Sequence, residues 1–229
     1  MRRVSIFGAT GSIGQSTIDL IKRDPDGFDV VALSGDRLRP QDIAAIASTG
    51  TQDLEAFTKL KVGLVSSGDE IIRPGDTFAS GNVFDSNHFM IRSLLESTPT
   101  DIDDLGVWKD DETSVLSKLS EATESYDVII STGGASRGEE DHFLTALETL
   151  GSCHLWQLAI KPGRPIGFGQ ISGNPCFVLP GNPVAAFVCC ILYVMPSLLR
   201  LGGGKWTTPR RYKIPAGFSI NSKPDRREF

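Results

Sequence analysis

The sequence predicts an α/β protein built on a doubly wound, mostly parallel sheet with helices on both faces. Three observations carry that expectation. Short apolar runs alternate with amphipathic segments, several of the runs are apolar on both faces, and glycine-rich or acidic loops follow them.

The elements follow in order. "RVSIFGATGSIGQSTIDLI", Arg3 to Ile21, reads as strand, tight glycine turn and helix, with Gly8, Gly11 and Gly14 at the turn. Such glycines let a backbone approach a phosphate, and the helix start behind them offers unpaired N–H groups. The spacing is G-x-x-G-x-x-G rather than the dinucleotide fingerprint G-x-G-x-x-G, so the turn serves equally to pack helix on strand. "LRPQDIAAIAS" is a turn and a short helix capped near Asp42, and "LKVGLVSSGDEI" a buried strand running into a loop. "DSNHFMIRSLLEST" is a helix capped by Asp85 or Ser86.

"LGVWKDDETSVLSKLSEATES" reads as a strand, a carboxylate-rich cap and a helix, with Asp110 in capping position. "YDVIISTGGASRGEEDHFLTALETLG" is strand, glycine loop and helix. The stretch from His154 to Phe187 gives three strands, with a tight turn at Gly173-Asn174, and leads into an apolar helix, Val184 to Leu201. Pro196 and Arg200 interrupt that apolar run, which therefore reads as a core helix and not a membrane span.

Composition narrows the function classes. With 229 residues and a net charge of −5 the chain can bury one good core, and its longest basic runs, "RRY" and "DRR", are too short for a nucleic-acid surface. Cys153, Cys176, Cys189 and Cys190 lack C-x-x-C spacing and read as core thiols of a reducing, cytoplasmic compartment. The N-terminus has no signal-peptide pattern.

In doubly wound sheets ligands bind beyond the carboxyl ends of the strands, so "SSGDE", "KDDE", "STGGASRGEED", "KPGRP" and "LPGNP" are the informative loops. In "KPGRP", Pro162 and Gly163 fix a turn that lets Lys161 and Arg164 point to one spot. That pair is the best oxyanion candidate in an acidic protein. Gly133, Gly134, Ser136 and Gly138 lie between a strand and a helix, an arrangement that suits a phosphate.

Two resemblances sharpen these readings. "MRRVSIFGATGSIGQSTIDLIKRDPDGFDVVALSG" resembles the N-terminus of deoxyxylulose-phosphate reductoisomerase, which implies Thr10, Gly11, Ser12 and Ile13 as cofactor contacts. The likeness ends at about Gly35, no completed dinucleotide half follows, and NADPH is not an expected cofactor of the whole chain. "GLVSSGDEIIRPGD", "STGGASRGEEDH", "LAIKPGRPIGFG" and "VLPGNPVAAF", in this order, resemble the molybdopterin molybdenumtransferases (the MoeA and gephyrin E-domain group with a MoaB/Mog-like central domain). The resulting expectation is a junction of two families, the larger truncated at both ends. Residues 1–35 form a βαβ fragment, 36–60 a connecting segment, 61–204 the molybdopterin-binding domain and 205–229 the start of a truncated β-barrel.

The second resemblance implies insertion of molybdate into adenylylated molybdopterin with release of AMP. It casts Asp110, Asp141 and Glu70 as catalytic acids and Asp110 and Asp141 as ligands of Mg2+. The pterin substrate and molybdate would be held by Gly133, Gly134, Ser136, Gly138, Lys161, Arg164, Pro165, Gly181 and Asn182. Gln157, Arg164 and Ala185 depart from the lysine, lysine and serine usual in that family. A pterin small molecule is the expected partner, with neither nucleic acid nor membrane, and a homodimer is left open. Two alternatives stand beside this reading: a non-catalytic molybdopterin-binding scaffold module, and a fragment of an NADPH-dependent oxidoreductase.

Overall fold

The computed structural model describes residues 2–6, 28–33, 38–54, 56–134, 142–162, 165–205, 212, 215, 217 and 227–228. The chain divides into two compact units, Met1–Thr58 with Leu199–Thr207, and Lys59–Leu198 with Thr208–Phe229.

In the first unit, β1 (Arg2–Ile6) pairs in parallel with β2 (Phe28–Leu33), Arg2 opposite Phe28. A parallel pair needs a long crossover. Residues 7–27, among them Thr10, Gly11, Ser12 and Ile13, lie outside the described residues. Helix α1 (Pro40–Ala47) starts on a proline at its first turn, where a missing N–H is harmless. Asp42 closes the start by accepting from the Arg39 backbone N–H at 2.9 Å, and that bond lowers the Asp42 pKa.

The second unit is the doubly wound domain. Its strands are β3 (Leu60–Ser67), β4 (Ile71–Ile72), β5 (Val83–Phe84), β6 (Thr100–Trp108), β7 (Val128–Thr132), β8 (Ser152–Gln157), β9 (Ile160–Lys161), β10 (Pro165–Ile171), β11 (Asn174–Leu179) and β12 (Arg227–Glu228). Its helices are α2 (Asn87–Leu95), α3 (Glu112–Ser125), α4 (His142–Leu150), α5 (Pro183–Cys189) and, as far as Leu198, α6 (Met195–Leu201). The main sheet runs β6-β3-β7-β11-β10-β8, parallel from β6 to β11 and antiparallel at β10 and β8. Chain order reverses between β3 and β7: β6 lies on one side of β3 and β7 on the other. That switch point opens a crevice at the carboxyl ends of the strands.

Period-two alternation explains the two cores. Val62, Leu64, Val128, Ile130, Phe177 and Leu179 face one layer with Ile91 and Leu95 of α2, Ala186 and Val188 of α5, and Leu198 of α6. Ile129, Cys176 and Val178 face the other with Val115 and Leu119 of α3 and Phe143 and Leu147 of α4. Each fully buried side chain of this size contributes about 1.5–3 kcal/mol.

Two local expectations are corrected. The cap of α3 is Asp111, whose Oδ1 accepts from Ser114 N at 2.7 Å, so Asp110 is not the capping residue. The β10–β11 turn is Ser172-Gly173, one residue earlier than expected. Asn174 already pairs with Ile171, and the turn needs positive φ at both central residues, 52° and 92°. The apolar run is the expected core helix, and just before Pro196, between α5 and α6, the chain makes a π-helical turn, Cys190–Val194, in which Met195 N–H reaches Cys190 O. The wider turn accommodates a proline that can neither donate to nor sit tightly on the residue four back. The stretch Pro183–Leu201 is long and apolar enough to cross a membrane, yet Ala186, Cys189, Cys190, Val194 and Leu198 are buried in the domain core.

Candidate functional site

A cleft of about 530 Å³ opens at the switch point. Its floor comes from the strand ends: Ser66, Ser67 and Gly68 after β3, Thr132, Gly133 and Gly134 after β7, and Gly181 and Pro183 after β11. One wall is the arm from Glu70 to Asn87, with Ile71, Val83, Phe84 and Asp85 facing the space, and Asp110 after β6 closes another side.

The floor is polar although buried. Ser66, Ser67, Ser131 and Thr132 are each at most 5% exposed, unlike the apolar residues that precede them on the same strands. Thr132 Oγ1 donates to Ser66 Oγ at 3.2 Å, and Ser131 Oγ to Gly133 O at 3.2 Å. Gly133 has φ +95°, and a Cβ there would lie 2.4 Å from Ser67 O. No other residue fits so close an approach of two strand ends. Gly134 continues the left-handed backbone at φ +77°.

Asp110 is brought to the cleft by an irregularity in β6. Leu64 pairs with Asp104 but Ser66 with Val107, so β6 carries one extra residue near Gly106, a bulge that re-aims the strand end. The Asp110 carboxylate accepts from Ser67 Oγ at 3.3 Å, and its N–H donates to Asp69 Oδ1 at 3.1 Å. Burial raises the Asp110 pKa, Asp69 and Glu70 raise it further, and Ser67 and His142 partly offset them. Glu70 folds its carboxylate over Gly68, where an added Cβ would meet Glu70 Oε2 at 2.8 Å.

The arm is pinned from beneath. Val83 N–H donates to Glu70 O at 2.8 Å and Asp85 N–H to Ile72 O at 2.9 Å. Asp85 Oδ1 caps α2 by accepting from His88 N–H at 3.0 Å, so of the two expected capping residues Asp85 is the one bonded. Its Oδ2 lies 3.1 Å from Arg73 Nη1, and Arg73 Nη2 donates to Asp104 Oδ1 at 2.6 Å. Asn87 Nδ2 donates to Gly181 O at 2.8 Å, joining the arm to the loop before α5.

The structure thus gathers Glu70, Asp110, Gly133, Gly134 and Gly181 around one cleft. Asn182 sits beside them as the cap of α5, its Oδ1 accepting from Ala185 N at 3.1 Å. Lys161 and Pro165 do not line this cleft: Lys161 is exposed on β9, which pairs with β12, and Pro165 opens β10 opposite Gln157. Ser136, Gly138, Asp141 and Arg164 lie outside the described residues. Ser67, Thr132, Arg73 and Phe84 were not singled out from sequence. The polar pairs "SS" and "ST" closing two apolar strands were the available signal.

The sequence pattern of the probable molybdopterin binding domain matches residues 63–200. That of 1-deoxy-D-xylulose 5-phosphate reductoisomerase matches residues 4–59, beyond the end expected near Gly35. The molybdopterin molybdenumtransferase of Haemophilus influenzae is 35% identical over 210 residues, 91% of this chain and 52% of that protein. Two solved structures of molybdopterin biosynthesis moeA protein from Pyrococcus horikoshii superpose with TM-scores of 0.64 and 0.60 at 32% and 27% identity. They cover 76% and 77% of this chain and 43% and 42% of theirs. The chain spans about half the length of these relatives.

Proposed function

The chain belongs to the probable molybdopterin binding domain family, and on that premise we propose that its cleft binds adenylylated molybdopterin and serves the insertion of molybdate with release of AMP. The observation that carries this reading is the left-handed Gly133-Gly134 backbone at the end of β7, set against Ser67 and Asp110 at the switch point. Gly133 N–H is held by Leu179 O at 3.0 Å, so the backbone that follows it and the Ser66 hydroxyl, which accepts from Thr132 and keeps its own proton to donate, are the groups that suit phosphate oxygens.

Hydrolysis of the adenylate requires a water brought to phosphorus and a group that takes its proton. Glu70, whose carboxylate lines the same cleft near Asp110, fills that role. Mg2+ would be held by Asp110, with Asp141 as a second ligand. Among the described residues no three acidic, histidine or cysteine side chains converge as a cage. That donor set fits magnesium, which binds through one or two carboxylates together with substrate phosphates and waters. The ion would supply neutralisation of phosphate charge.

Lys161, with Arg164, is assigned to molybdate on the chemistry of the loop, two cations flanking Pro162 and Gly163. The four cysteines, all thiols, support a reducing, cytoplasmic setting. The test is AMP release from adenylylated molybdopterin with Mg2+ and molybdate. Molybdate-dependent release supports the transferase, binding without release identifies a non-catalytic module, and absence of binding overturns both.

A further inference from the structure

The lining of the cleft is of two chemical kinds, polar from Ser66, Ser67, Thr132 and Gly134 and apolar from Ile71, Val83 and Phe84. Phe84 stays 44% exposed although the next residue, Asp85, is 3% exposed. A lone surface phenylalanine needs no explanation. This one lines a concave site, and its position is fixed. Phe84 pairs with Ile72, Asp85 behind it is locked by Arg73, and the Phe78 ring backs it at 5.5 Å between centroids with the planes tilted by 37°.

We propose that Phe84 is the seat of a flat, nitrogen-rich aromatic ring of the ligand whose phosphate lies at the Gly133-Gly134 turn. This rests on the proposed function of that turn. A phosphate-binding loop alone anchors one end of a ligand and leaves its rings free to swing. A preformed aromatic wall in the same cleft fixes their direction, and stacking tolerates any heteroaromatic face. The molybdopterin adenylate carries two such rings, the pterin and the adenine. Phe84 discriminates ring from no ring, while the polar groups around the cleft choose between them.

Binding titrations of the full chain with AMP, molybdopterin and inorganic phosphate test this in wild type, Phe84→Leu and Phe84→Trp. Leucine keeps the apolar area but removes the stacking face. The expected result is about a tenfold weaker affinity of Phe84→Leu for at least one ring-bearing probe, unchanged phosphate affinity, and recovery in Phe84→Trp. A loss confined to AMP places the adenine on Phe84, and one confined to molybdopterin places the pterin there. Wild-type affinity of Phe84→Leu for all three probes overturns the inference alone. So does an equal loss of phosphate, or a change only in self-association by sedimentation, which would make the wall a contact between copies. A wild-type chain that binds none of the probes removes the functional reading and this inference with it.

Discussion

Ser67, at the end of β3, donates its hydroxyl to Asp110, in the loop after β6, at 3.3 Å. The bond ties together the two strand ends that flank the floor of the cleft, and it is made in a partly buried place where Asp69 and Glu70 oppose a further negative charge. A carboxylate kept there is disfavoured by its surroundings, which is characteristic of a group retained for chemistry.

Asp110→Asn should therefore abolish molybdate-dependent AMP release while making the fold more stable at neutral pH. The sign follows from linkage. The pKa of Asp110 is raised in the folded chain, so its contribution to stability is highest below the unfolded value of 3.8. That contribution falls as pH rises through the folded pKa and stays low above it. Thermal midpoints of the two proteins should differ most at pH 7 and converge below about pH 4, near the reference carboxylate pKa. A less stable Asn variant at pH 7 would contradict this assignment of the environment.

Gly133→Ala should destabilise by more than about 2 kcal/mol, combining the left-handed backbone penalty with the contact at Ser67 O. Gly134→Ala, at φ +77°, should lose about 1 kcal/mol from the same backbone preference and weaken molybdopterin binding. Denaturant titration gives the first quantity and ligand titration the second. A Gly134→Ala variant with intact folding and unchanged affinity would remove this loop from the phosphate site.

The layered sheet was legible in the sequence because short runs apolar on both faces and strand-helix alternation are local signals. The stretches "LKVGLVSS" and "YDVIIST" read directly as strands, and "SSGDE" as a strand-end loop. Details resting on a single residue of register were not. Asp110 and Asp111 are adjacent acids before the same helix, and the bulge at Gly106 is what frees the first to reach the cleft while the second caps. The arm lock escaped for another reason: Arg73 meets a residue 31 positions away, Asp104, and no spacing rule reports such a contact.

Arg73→Ala should destabilise by about 3 kcal/mol, because it leaves Asp85, whose side chain is 2% exposed, without its counter-charge. Combining Arg73→Met with Asp85→Asn should recover much of the loss, since asparagine still caps α2 and no buried charge remains. Chemical denaturation of the single and double variants measures both steps. A double variant no more stable than Arg73→Ala would mean that Arg73 acts through packing, including its position over the Phe89 ring at 5.9 Å.

His88 reports on the same lock through its proton. Burial lowers its pKa first and Arg73 lowers it further, while Asp104, 3.3 Å from Nε2, and Asp85 pull it back up. Because the folded pKa lies below the ordinary 6.5, the neutral ring contributes stability that is present above that value. It is lost as pH falls from there through the folded pKa. An NMR titration of the ring should show His88 protonating below 6.5 in the wild type and at higher pH in Arg73→Met, where the largest charge opposing protonation is gone. Unchanged titration in that variant would show that burial alone sets the pKa and that the guanidinium contributes nothing measurable to it.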